Sequence, residues 1–126
     1  MQTNSVVAIA FALALGATLT PALSHGDPTP RYGGIAQSAG DVSYELAPDR
    51  EGLALYVEDH GSPVSMIGAT GFLAVMTGGK RTDFPMKPAG ENRMLVIGVH
   101  LSAGTRATAV LKMPSGQSIV VQFPRK

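Results

Sequence analysis

Glycine and proline interrupt this chain too often for a helix to establish itself. Of its 15 glycines and 9 prolines, all but Gly16 and Pro21 fall after residue 24. No ten-residue stretch beyond that point carries apolar residues at helical spacing without a Gly or Pro inside, which disfavours a βαβ fold. Between the breaks, apolar and polar residues alternate with period two. Val42, Tyr44 and Leu46 oppose Ser43 and Glu45; Leu53, Leu55 and Val57 repeat the pattern; so do Thr82, Phe84 and Met86, then Ala107, Ala109 and Leu111, and at the end Ile119, Val121 and Phe123. Residues 64–67, 72–76 and 94–99 add apolar runs of strand length. Thr77, Gly78, Gly79 and Lys80 make a hairpin turn, Pro114, Ser115 and Gly116 another, and Pro85 confines its strand to an edge or a bulge. The expected fold is all-β: an immunoglobulin-like two-sheet sandwich of about seven to nine short antiparallel strands, with a small barrel as second choice.

The first 24 residues are a different object. All ten Lys and Arg and all nine Asp and Glu lie after them. Residues 6–19 are apolar and uncharged, yet shorter than the roughly 20 residues that span a bilayer core. Pro21 and the small residues Ala22 and Ser24 follow. This pattern predicts a signal peptide cleaved before His25, with cleavage after Ala22 as the second choice, and therefore a periplasmic protein. The expected organisation is a signal peptide at 1–24, a flexible arm at 25–34 and one β-domain at 35–126.

A net charge of +1 argues against nucleic acid as a partner. The absence of cysteine excludes disulfides, thiol catalysis, Cys-ligated zinc, iron–sulfur clusters and blue copper. No nucleophile elbow, Walker loop, H-E-x-x-H pair or dinucleotide fingerprint occurs, and the chain reads as a non-enzyme. With three Tyr and no Trp it is poorly equipped to stack on sugars.

The chemistry that remains belongs to the three histidines. Processing before His25 creates a free α-amine beside an imidazole, a preformed two-nitrogen chelate for Cu(II) or a similar borderline ion, with the Asp27 carboxylate two residues on. Glu58, Asp59 and His60 offer oxygen and nitrogen donors at a strand end, suited to Cu(II) or Zn(II), although Asp, His and Gly also make good turn chemistry. His100 joins such a site only where the fold brings it to His25 or His60. The expected metal ligands are thus His25, Asp27, Glu58, His60 and His100. The methionines beyond the leader are not clustered, and Met76, Met86 and Met94 read as core filler within strands.

The run from His25 through Asp27 to Pro28, the Pro30, Arg31, Tyr32, Gly33, Gly34 element, residues 41–46, the segment from Tyr56 through Asp59, His60 and Gly61 to Pro63, and residues 68–71 resemble small exported proteins of Gram-negative bacteria. Those proteins are often found beside heavy-metal efflux systems and are similar to an N-terminal β-domain of periplasmic efflux adaptors. The resemblance implies a periplasmic sandwich that handles copper, zinc or related ions, with a periplasmic component of an efflux system as partner. Many relatives carry His before the Gly pair; here the residue is Tyr32, a poor neutral ligand.

Overall fold

The computed structural model describes residues 28–124. The five period-two runs and the apolar runs at 72–76 and 94–99 mark strands, and two further strands that no run announced bring the number among the described residues to nine: β1 (Ile35–Ala39), β2 (Val42–Asp49), β3 (Gly52–Asp59), β4 (Ser62–Pro63), β5 (Thr70–Thr77), β6 (Lys80–Pro88), β7 (Arg93–Ile97), β8 (Arg106–Lys112) and β9 (Ser118–Phe123). All described pairings are antiparallel, in the order β1-β2-β3-β7-β6-β5-β8-β9, with β4 added to β3 beside β7. Strands β1 and β9 then lie next to each other without a hydrogen-bonded ladder, so the sheet nearly closes on itself. The all-β expectation holds. Among the described residues, no helix is long and apolar enough to cross a membrane.

Alternation decides which side chains enter. Tyr44 and Leu46 from β2, Leu55 and Val57 from β3, and Met94 and Val96 from β7 meet Leu73, Ala109, Leu111, Val121 and Phe123 from the other half in one buried cluster. Each large member contributes about 1.5–3 kcal/mol through burial. That cluster supplies the cohesion for which a cysteine-free chain has no covalent substitute.

Strand β6 links the two halves. Residues 80–86 pair with β5, and only Lys87 and Pro88 pair with β7. Over most of its length β6 therefore has one bonded neighbour, which is why Pro85, lacking an N–H, is tolerated in a strand that is central in the overall order. Thr77 pairs with Lys80 across Gly78 and Gly79, as the turn residues imply.

Two local expectations change. Residues 64–67 form no strand of their own: β4 ends at Pro63, and the segment folds in through bonds from Val64 N–H to the Val57 carbonyl (3.1 Å) and from Met66 N–H to the Glu91 carbonyl (2.8 Å). Met66 is fully buried there. Met86 and Met94 fill the core as expected, whereas Met76 sits on the outer face and is exposed.

Candidate functional site

The outward face of β2 and β3 carries Ser43, Glu45 and Ala47 beside Ala54, Tyr56 and Glu58. Charged and polar residues on this face read as solvated, yet Glu45 is buried, at 6% exposure. The cause is the segment preceding β1. Glu45 Oε1 accepts the backbone N–H of Arg31 (2.6 Å), and Oε2 accepts those of Tyr32 (2.8 Å) and Gly34 (2.9 Å). Three backbone donors, from residues 31, 32 and 34, converge on one carboxylate in charge-assisted bonds that are stronger than neutral pairs. Gly33 adopts φ of +79°, and a Cβ on Gly34 would collide with the Leu46 carbonyl. The Gly pair is therefore the bend that lets this backbone lie flat on β2.

Side chains complete the clasp. The Tyr32 ring stacks on Tyr56 with centroids 3.7 Å apart and planes 9° from parallel. Arg31 Nη1 approaches Glu58 Oε2 at 3.5 Å, a partly solvated pair of small worth. Tyr32 thus has an aromatic packing role. Residues 31–34, expected to belong to a flexible arm, are held by five separate contacts. Residues 25–27, and with them His25, Asp27 and the processing site, lie outside the described residues.

At the end of β3, Asp59 pairs with Ser62 of β4, leaving His60 and Gly61 as the two turn residues. Their φ values are +52° and +84°, the double positive that a type I′ hairpin turn requires. His60 is the one non-glycine with positive φ among the described residues. Its Nδ1 lies 2.6 Å from Asp59 Oδ1. Because an ionised carboxylate only accepts, Nδ1 donates, and a neutral ring then turns its Nε2 lone pair outward. This carboxylate-to-imidazole pair is the outer-shell arrangement that commonly orients a metal-binding His. The imidazole is 76% exposed and open to an incoming ion.

Glu58 does not join that pair. Successive side chains on a strand point to opposite faces, so Glu58 faces the clasp while Asp59 faces the interior side. His100 is further away. It borders a pocket of about 110 Å³ with Gly34, Ile35, Leu46, Pro48, Leu53 and Leu101, at the Gly52 end of β3. From Leu53 to the His60 turn is roughly 20 Å of extended strand. The fold therefore does not bring His100 to His60, and the two histidines cannot ligate one ion. Among the described residues, no three His, Asp or Glu side chains gather into a metal-holding group.

Glu45 and Tyr56 are the residues sequence reasoning missed. Their only signal was indirect: a P-x-x-G-G element needs something to press its backbone against. Compared with protein-family models, curated proteins and solved structures, the chain matches none.

Proposed function

We propose that the chain is an exported, non-enzymatic β-domain that binds or buffers a transition metal of the copper or zinc class in the periplasm, in support of heavy-metal resistance. In this reading the two halves joined by β6 serve as the layers of an immunoglobulin-like sandwich. His60 Nε2 is one ligand, and the α-amine and imidazole of His25, with Asp27, are the others.

The observation that carries the proposal is where the clasp delivers the N-terminal segment. Pro28, Thr29 and Arg31 lie against Ser43 and Glu58, at the same end of the sheet as the Asp59–His60 pair, and Arg31 reaches towards Gly61. His25 stands three positions before Pro28, and three residues span at most about 10 Å. Chain length therefore permits His25 and His60 to share an ion, whereas His100 is at the wrong end. The resemblance to proteins encoded beside metal efflux systems agrees with this chemistry, and Tyr32 in place of His moves the weight onto His25 and His60.

The test combines intact mass of the secreted product with Cu(II) and Zn(II) titration of the same sample. We expect a product beginning at His25, a 1:1 Cu(II) complex, and a loss of affinity of tenfold or more in both His25→Ala and His60→Asn. A processed protein that binds no metal, or binds it equally after both substitutions, overturns the proposal.

A second reading, an exported interaction module without metal, is favoured by the unladdered seam between β1 and β9, where two strand edges face each other. A partner cross-linked through that seam whose association survives chelation would select it.

A further inference from the structure

The open end of the sheet holds a cleft of about 460 Å³, within the size range of small-molecule sites, and the mouth of a barrel is a common place for one. It lies where the β1–β2 turn faces the β8–β9 hairpin. Val42, Val57, Val64, Met113 and Ile119 form its apolar walls, and Val57 is fully buried while the other four are packed against the core. Tyr44, almost fully buried, forms part of the base. Of the described residues lining the cleft, Asp59 alone is charged.

The Asp59 charge reaches into this space. Burial raises the Tyr44 phenol above the ordinary tyrosine value, and the Asp59 carboxylate raises it further, so the two groups share one electrostatic environment. Oδ1 of Asp59 is engaged by His60. A carboxylate accepts at two oxygens and is not saturated by one donor. An anion entering the cleft meets repulsion with no lining cation to offset it, and a purely apolar molecule leaves the carboxylate without a countercharge.

We propose that this cleft is a binding site for a small apolar cation, an alkylammonium whose hydrocarbon lies between Val42, Val57, Val64 and Ile119 and whose nitrogen faces Asp59. The site is distinct from the metal reading, since it uses the inward side of Asp59 and needs neither His25 nor the Nε2 atom of His60. Specificity resides in the combination: apolar walls select a tail, and the lone carboxylate selects the sign of the head.

The test is an NMR amide-shift titration of the full processed chain at low salt in the presence of EDTA, using hexylammonium, 1-hexanol and hexanoate as probes. We expect saturable shifts at Val42, Val57, Val64 and Ile119 with hexylammonium, at least tenfold weaker binding of hexanoate, and an intermediate alcohol. Lengthening the ammonium from butyl to pentyl to hexyl should strengthen binding about three- to fourfold per methylene. Asp59→Asn should bring the ammonium down to the level of the alcohol. Equal binding of the three head groups, shifts that map elsewhere, or no saturation by hexylammonium overturns the proposal. The probe series on the unaltered protein decides this even where the substituted chain folds poorly. Because chelator is present throughout, failure here leaves the metal reading untouched, and the reverse also holds.

Discussion

Replacing Glu45 by Gln changes one oxygen and one charge and should undo the clasp. Oε1 serves Arg31 alone, while Oε2 serves Tyr32 and Gly34. The amide nitrogen of Gln cannot accept, and it does least harm at the Oε1 position, where it would still face the Arg31 N–H donor to donor. One hydrogen bond to a charged group is lost outright, worth about 1.5–3 kcal/mol, and the two survivors fall to neutral strength, near 1 kcal/mol each. An upper limit applies, because once the segment lifts away its amides recover bonds to water. We therefore expect a loss of about 2–4 kcal/mol, a large fraction of the roughly 5–15 kcal/mol that holds a domain together. For a domain of this size that corresponds to a fall in melting temperature on the order of 10–20 °C.

Urea unfolding measures the loss, and hydrogen exchange at Arg31, Tyr32 and Gly34 locates it. In the parent these three amides should exchange slowly; in Glu45→Gln they should exchange as exposed amides do while the β3 and β7 amides stay protected. Tyr32→Ala provides the complementary arm of a double-mutant cycle. If carboxylate and ring stack act on one docked segment, the double variant should lose clearly less than the sum of the two single losses. A Glu45→Gln protein within about 0.5 kcal/mol of the parent, with the three amides still protected, would refute the reasoning.

Other outcomes follow from the same geometry. Gly34→Ala drives a methyl into the Leu46 carbonyl and should match or exceed the Glu45→Gln loss, with the same three amides released in hydrogen exchange. His60→Asn suits the positive-φ turn position better than His does and should raise the melting temperature by about 2–4 °C in a thermal scan while removing the imidazole, separating fold from ligand chemistry. Met66→Ala should cost about 2–5 kcal/mol in urea unfolding, and Met76→Ala less than about 0.5 kcal/mol, reversing what their positions outside and inside a strand suggest. The fold favours the neutral phenol of Tyr44, so the raised Tyr44 value gives full stability below about pH 10 that declines as pH climbs through that value. Tyr44→Phe should flatten that alkaline decline in denaturation curves taken across pH 9–12.

The strands were legible because alternation and turn chemistry pointed the same way. Val42, Tyr44 and Leu46 entered the core as their spacing requires, and Gly78 with Gly79 closed a two-residue hairpin between Thr77 and Lys80. The sheet's closure was less accessible. Period two says which face is buried but not which strand lies beside which, and only the split pairing of β6 and the meeting of β1 with β9 produce one nearly closed sheet. Residues 64–67 misled because a short apolar run reads as a strand whether its backbone pairs in a ladder or folds inward over a core end, as Met66 does.

The candidate site was legible in its turn and illegible in its clasp, and the difference is one of sequence range. Asp59, His60 and Gly61 interact with each other and with Ser62, so local chemistry suffices to place His60 at positive φ with a carboxylate on its ring. The same local rule, with side chains alternating across a strand, separates Glu58 from Asp59 and prevents the three adjacent donors from converging. Glu45 works at longer range: its partners are backbone amides 11–14 positions upstream, and amides carry no residue-type signature. That is why residues 31–34 read as part of a flexible arm and why Glu45 read as a solvated face. In the proposed reading the clasp bears on metal chemistry, because a segment fixed from Arg31 to Gly34 limits where the six residues 25–30 can travel. On that reading, a mature N-terminus beginning at His25 would bind an ion together with His60 as an intramolecular ligand, and an arm released by Glu45→Gln would lose that advantage without losing a single donor atom.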